Sequence, residues 1–340
     1  MKHELKMLIW EITDACNLSC RHCYKRMISS STAEFIDEID IMETVSEFKQ
    51  CGLKEIVISG GEPLIKKEKV LEIIRVCNRL GIETIVTTNG TLMSPEMAKL
   101  LKTTGLSGVQ ISIDGIDAKR HDRIRGGGTF SKAVAAIEAC VDAGILVSIM
   151  TVPTIENIDE LEGLFEFACN KGAKCLGVER PIASSRDSIY YFDESNLNRL
   201  HDAIERLENN GMIRIHCNDP VYQLRKLRKS LCNDISVLEI GGVLDLGCSA
   251  CRTACVVSSN GNVRACTFTD FVIGNLKESS LQDIWNSSKT MSVCNRTSLY
   301  GICSDCLYFP VCRGCFAQRI AFGENLEGSD EACYMKTVSF

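Results

Sequence analysis

The chain has 340 residues, 45% hydrophobic and 24% charged, with a net charge of −6. That length suits one large domain plus a small one. The charge leaves no basic footprint for nucleic acid, and no run of about 18 uncharged apolar residues offers a membrane span. Twenty cysteines in a chain whose opening Met1-Lys2-His3-Glu4 shows no signal peptide point to metal rather than disulfides, and to a cytoplasmic protein.

Residues 7–13 form an apolar run that reads as the first strand. It delivers a loop holding Cys16, Cys20 and Cys23 at its C-terminal end. Residues 40–51 place Ile41, Val45 and Phe48 at helical spacing. Residues 55–59 read as a buried strand, followed by the turn Gly60-Gly61-Glu62-Pro63. A helix is expected over 67–80, ended near Gly81, then a strand over 83–88 running into Asn89-Gly90. Pro95 opens the next helix. Strands are expected over 109–113, 146–152 and 175–179, with helices over 130–143 and 158–171. Six strand–helix alternations by about residue 210 imply a parallel sheet covered by helices, too few for an eight-fold barrel. Sites in such folds gather at the C-terminal strand ends. Here these are the cysteine loop, the Gly60–Pro63 turn, Thr88-Asn89-Gly90, Ser112-Ile113-Asp114 and Glu179-Arg180. Residues 211–246, with a candidate strand over 212–217 and a basic helix over 221–230, read as a bridge with a solvated face. The remainder is loop-rich and cysteine-dense, a region stapled by metal.

The loop cysteines are spaced C-x3-C-x2-C. Thiolates are soft ligands typical of iron–sulfur clusters. A 4Fe–4S cube has four irons and the loop offers three thiolates, so one iron stays open, as a catalytic zinc keeps an open position. With the Gly-Gly-Glu-Pro turn after an apolar strand and the cysteine pattern of the tail, nearly the whole chain resembles the radical S-adenosylmethionine (radical SAM) superfamily with its C-terminal SPASM extension. The resemblance implies a partial (β/α)6 TIM-like barrel over 1–210, the bridge over 211–246, and a small Fe–S-stapled SPASM domain over 247–340. It implies an enzyme in which a 4Fe–4S cluster on Cys16, Cys20 and Cys23 binds S-adenosylmethionine at its open iron. One electron then yields methionine and a 5′-deoxyadenosyl radical that abstracts a substrate hydrogen.

The same resemblance suggests roles residue by residue. Gly60 and Gly61 let the backbone approach the ligand, and Glu62 meets its ammonium. Ser112 and Asp114 take its carboxylate and ribose. Arg125 pairs with the carboxylate, with Arg123 as the alternative. Asn89 serves substrate or cofactor, or is an ordinary turn asparagine. His22 stands where many members carry an aromatic and reads as structural, able to pack on adenine. No catalytic residue beyond the cluster is assigned.

In the tail, Cys251-x9-Gly261-x4-Cys266, then Cys303-x2-Cys306-x5-Cys312-x2-Cys315 and Cys333, resemble the SPASM pattern for two auxiliary 4Fe–4S clusters. Two of Cys248, Cys251 and Cys255 complete the set. The family's interleaved ligation pairs these two with Cys266 and Cys315, and groups Cys303, Cys306, Cys312 and Cys333. Alone, residues 303–315 would favour zinc; behind a radical SAM core the iron–sulfur reading prevails. The run Cys312-Arg313-Gly314-Cys315 is similar to the branch with quinone-cofactor and haem-biosynthesis members. Thr267 stands where sulfatase-maturing members carry an aspartate. The other cysteines read as small buried hydrophobes.

The expected function is a radical SAM/SPASM oxidoreductase or maturase acting on a ribosomal peptide. The alternative is a tetrapyrrole side chain, as in haem or haem d1 biosynthesis. A rival of another class is a non-catalytic iron–sulfur electron carrier, disfavoured by the Gly-Gly-Glu-Pro turn and Arg125. Expected partners are the peptide or tetrapyrrole and an external one-electron reductant of flavodoxin or ferredoxin type. Because the first strand begins by residue 7, a separate peptide carrier is expected. Neither nucleic acid nor membrane is expected. Glu179 and Arg180 are the candidates for substrate contact, with ion pairing as the competing role.

Overall fold

A computed structural model describes residues 4–27, 34–183, 186–230, 247–295, 301–321 and 328–337. Cys232 and the rest of 231–246 lie outside the described residues.

The expected alternation is present. β1 (Met7–Glu11) leads to α1 (Ile41–Gln50), β2 (Glu55–Ser59), α2 (Lys67–Leu80), β3 (Glu83–Thr88) and α3 (Pro95–Thr104). There follow β4 (Gly108–Ser112), α4 (Ala118–Arg125), α5 (Thr129–Asp142), β5 (Leu146–Thr151), α6 (Leu161–Asn170), β6 (Cys175–Val178) and α7 (Glu194–Asn210). Two more elements, β7 (Arg214–His216) and α8 (Pro220–Ser230), continue the pattern. The helix starts follow local chemistry. Asp40 caps α1 through the Glu43 N–H, and Ser94 caps α3 through the Met97 N–H with Pro95 just inside. Helix α4 is mostly charged and buries only His121.

The tail contributes β8 (Ala254–Val257), β9 (Asn262–Arg264) and β10 (Val272–Asn275). Short helices α9 (Leu281–Trp285), α10 (Ser288–Asn295), α11 (Phe309–Cys312) and α12 (Phe316–Ile320) follow. Among the described residues the ten strands share one sheet, ordered β10-β9-β8-β1-β2-β3-β4-β5-β6-β7. Strands β1 to β7 run parallel, and β8 adds to the far side of β1, also parallel, with Leu8 opposite Cys255. Strands β9 and β10 are antiparallel additions. The end strands β10 and β7 do not pair, so the barrel stays open.

The pleat sorts residues by function. Side chains alternate faces along a strand. On the outer face Leu8, Trp10, Ile56, Ile58, Val109, Ile111, Val147 and Ile149 are buried under the helices, with Trp10 edge-on to Phe48 of α1 at 5.4 Å. On the inner face Met7, Ile9, Val57, Thr87, Gln110, Ser112 and Met150 line a cavity.

Candidate active site

The cysteine loop leaves β1 and is fastened at both ends. The Gly61 N–H donates to the Thr13 carbonyl (2.8 Å) and the Glu62 N–H to the Ala15 carbonyl (2.9 Å). Further on, the Arg21 N–H donates to the carbonyl of Ile124 in α4 (2.9 Å). Glycine is required at the first contact. A Cβ on Gly61 would sit 2.2 Å from the Ala15 oxygen, and one on Gly60, whose φ is +141°, 2.3 Å from that of Thr13. Both glycines line the cavity, as expected, and they also press the turn against the base of the loop. Cys16, Cys20 and Cys23 all face the same cavity. Burial pushes the Cys16 and Cys20 thiols up, so only a strong positive partner would hold them as thiolates. Three thiols on one wall, beside a cradle closed to any side chain, fit a cluster with one iron left for another ligand.

Two of the expected ligand contacts, Glu62 and Asp114, lie buried behind the cavity wall. Glu62 is fully buried and absent from the cavity wall. Its carboxylate accepts from the Leu64 N–H (3.1 Å), the Thr88 hydroxyl (2.8 Å) and the Asn89 N–H (2.8 Å). It is a clip joining the turn to the end of β3. Asp114 is likewise 2% exposed and off the wall. One oxygen meets the Nε2 of His22 (2.8 Å) and the Nε of Arg125; the other accepts from the Val152 N–H (3.1 Å). Despite burial, the Arg125 and His22 contacts hold its carboxyl well below the usual range. Asp114 orients two residues that do face the cavity, His22 and Arg125.

Asn89 and Ser112 reach the cavity as expected. Asn89 makes the turn and also reaches the cysteine loop. Its side-chain oxygen accepts from the Thr91 N–H in a local turn, and its Nδ2 donates to Asn17 (3.0 Å) and lies 4.0 Å from the Cys16 sulfur. Arg125 is preferred to Arg123 by geometry, since Arg123 pairs with Glu156 on the surface.

The tail cysteines gather in two nests. Cys303, Cys306, Cys312 and Cys333 ring one small enclosed void. Burial pushes up the thiols of Cys306, Cys312 and Cys333, the last to about 12. Cys248, Cys255, Cys266 and Cys315 instead line the main cavity, together with the loop cysteines. Arg313 and Gly314 both have positive φ (65° and 58°), so the chain reverses between Cys312 and Cys315 and sends them to different nests. Gly247 allows the neighbouring approach: its Cβ would lie 2.2 Å from the Val311 oxygen, and the Cys248 N–H reaches the Cys312 carbonyl at 3.2 Å. Cys255 shares its register with Leu8, and Cys251 and Cys51 lie near its sulfur. Among the described residues no three His, Cys, Asp or Glu side chains close around a single ion. Zinc ligands all lie within about 2.3 Å of one ion, whereas cluster thiolates bind separate irons.

The cavity, about 600 Å³, is shared by barrel and tail. Two buried ionic networks close it. Glu11 on β1 accepts from the hydroxyl of Tyr24 (2.9 Å), from Lys25 (2.7 Å) and from Arg264 of β9 (2.5 Å). Arg264 also donates to the Thr267 and Thr269 carbonyls beside Cys266. Arg180, after β6, grips Asp219 and, through both terminal nitrogens, Asp330 next to Cys333. Arg180 therefore does take the ion-pairing role. Glu179 beside it lines the cavity with its carboxyl pushed up to about 7 by burial and then by Asp219. Glu11, Tyr24, Lys25, Arg264 and Asp330 carried no local motif; their roles depend on partners far along the chain.

Comparison with known proteins agrees with this geometry. The family model of the radical SAM superfamily matches residues 10–168, and that of the SPASM iron–sulfur cluster-binding domain matches 248–307. The AdoMet-dependent heme synthase of Methanosarcina barkeri is 29% identical over 98% of both chains. Mycofactocin maturase MftC of Mycobacterium tuberculosis is 30% identical, over 96% of this chain and 82% of its own. In fold, Streptococcus suis SuiB bound to S-adenosylmethionine superposes with a TM-score of 0.77 at 17% identity, over 98% of this chain and 78% of its own. The chain belongs to the radical SAM superfamily and carries the SPASM iron–sulfur domain at its C-terminal side.

Proposed function

We propose that this enzyme abstracts hydrogen from an unactivated carbon of a ribosomal peptide held in the cavity between its barrel and its cysteine tail. The observation that carries the reading is that one cavity is walled on one side by Cys16, Cys20 and Cys23 and on the other by Cys248, Cys266 and Cys315. When bound, the loop cluster and S-adenosylmethionine supply the 5′-deoxyadenosyl radical. The chain's own residues do the rest. Gly60, Gly61 and Asn89 hold the loop, while Asp114 aims Arg125 and His22 at the cofactor. Ser112 offers a hydroxyl beside them. The Glu11 and Arg180 networks seal the wall against water. Glu179 faces the substrate side, where a carboxyl near its midpoint at neutral pH both donates and accepts.

The domain division proposed is a core over 1–210, a bridge over 211–246 and the auxiliary-cluster region over 247–340. We assign Cys248, Cys266 and Cys315, with Cys251 or Cys255 as the fourth ligand, to one auxiliary 4Fe–4S cluster, and Cys303, Cys306, Cys312 and Cys333 to a second. A flavodoxin- or ferredoxin-type protein supplies the electron, in the cytoplasm. Support for a peptide comes from the maturase relative and from the charge of the wall. Among the described lining residues Lys25, Arg125 and Arg180 are each committed to carboxylates, leaving Arg21 as the cation for an anionic group. A tetrapyrrole with several carboxylates would call for more. The heme synthase relative, matched over 98% of both chains, favours that second reading.

The test is anaerobic reconstitution and iron counting on the native protein and on the Cys16→Ala/Cys20→Ala/Cys23→Ala variant. About twelve irons falling to about eight is expected. Reduced native protein should release methionine and 5′-deoxyadenosine; if neither forms, the electron-carrier reading replaces this one. A tetrapyrrole that co-purifies and is consumed would move the substrate from peptide to tetrapyrrole.

A further inference from the structure

Arg180 is committed at only two of its three nitrogens. Nη1 lies 3.0 Å from Asp219 and 2.8 Å from Asp330, and Nη2 lies 2.9 Å from the other oxygen of Asp330. The side chain is 5% exposed, and its Nε finds no hydrogen-bond partner among the described residues. A buried charged donor left without an acceptor is costly, and native structures rarely keep one. The acceptor expected there is a group other than a protein oxygen or nitrogen.

Arg180 and Cys315 both line the cavity, and the helix after Cys315 is tied to the residue after Arg180, Gln318 Nε2 donating to the Pro181 carbonyl (2.8 Å). Of the charged groups around the Cys315 sulfur, Arg180 acts on it most strongly, ahead of Asp330, Cys248 and Asp219. The carboxylates occupy the two terminal nitrogens, which leaves the Nε–H unspent. We propose that Arg180 directs its Nε–H at the sulfurs of the auxiliary cluster held by Cys315 and thereby raises that cluster's reduction potential. This rests on reading Cys315 as a cluster ligand. Hydrogen bonds to the sulfurs and local charge are among the terms that set such potentials. A raised potential suits a centre at the cavity wall that takes an electron from the substrate side.

The experiment is a redox titration followed by electron paramagnetic resonance on the fully reconstituted enzyme without substrate. Cys315→Ser identifies the signal. Arg180→Lys keeps a cation opposite Asp219 and Asp330 but has no Nε–H. The expected result is a midpoint lower by about 59 mV, a tenfold change in the one-electron equilibrium, for the Cys315-dependent signal alone. An unmoved midpoint at full iron content overturns the proposal. If Arg180→Lys loses iron, native protein grown with 15Nε-arginine decides. A nitrogen coupling on the Cys315-dependent signal is expected, and its absence overturns the role. If every signal and all the iron survive Cys315→Ser, the ligand reading fails and takes the proposal with it.

Discussion

The barrel and the tail are built by different chemistry. In the barrel, strands β1 to β6 bury an aliphatic outer face under helices, and each such side chain removed from water contributes about 1.5–3 kcal/mol. In the tail, α9, α11 and α12 are four or five residues long, and two of the largest fully buried side chains are Arg264 and Arg319. The tail's apolar side chains, among them Val263, Leu281, Trp285 and Phe316, join the barrel's core, and cysteine ligation and a few buried ion pairs hold the loops between them. The difference teaches that stability of the barrel is intrinsic, while stability of the tail is conditional on metal.

Removing the iron is the strongest way to break that contrast. Anaerobic chelation should strip amide-exchange protection from residues 248–335 while β2 to β5 keep theirs; equal loss in both would refute the division. Next comes the joint between the regions. Arg264→Met removes one of the two cations on buried Glu11 and leaves Lys25, and denaturant unfolding should show a loss of about 1.5–3 kcal/mol, much of it recovered in Arg264→Met/Glu11→Gln. Gly61→Ala acts on the barrel side alone. Its Cβ would meet the Ala15 oxygen at 2.2 Å, so the loop must move, and iron counting should show about four irons lost with the tail's clusters kept.

The smallest effect is in pH and separates the two ends of the cavity. Burial lowers His121 from 6.5 to about 4, and its Nδ1 accepts from the Asp114 N–H. Between those values the unfolded chain binds more protons, so stability is present above pH 6.5 and lost as pH falls, by no more than about 3 kcal/mol. Glu179 has the opposite sign. Its carboxyl is raised from 4.5 to about 7, the folded state holds the proton more tightly, and stability falls as pH rises through that window. His121→Asn should flatten the acid side of the stability profile, and Glu179→Gln the neutral side.

The barrel was legible in the sequence because its elements are local. Apolar runs and Gly, Pro and Asn punctuation carry the period and the boundaries, and six strands fell within two residues of their expected ends. Helix α4 was missed because Ala118–Arg125 is mostly charged and buries only His121. At the site, spacing named Cys16, Cys20 and Cys23 and the groups that face the cavity. It did not show that Glu62 and Asp114 sit behind the cavity wall, because the groups a carboxylate meets are set by residues 26 to 38 positions away. Cys255 was indistinguishable from Cys248 and Cys251 by spacing. Its place opposite Leu8 comes from the register of β8 on β1, a pairing between the two ends of the chain.

That same pairing bears on how the protein is made. Strand β1 emerges from the ribosome first, yet its partner β8 does not exist until residue 257 has been added. At about 5–20 residues per second, the interval is tens of seconds. Throughout it, β1 presents an open edge immediately beside the thiols that must receive a cluster. An exposed edge is a template for wrong partners. The nascent chain is therefore most in need of a chaperone at the moment when its metal-binding loop is most accessible to an iron–sulfur donor.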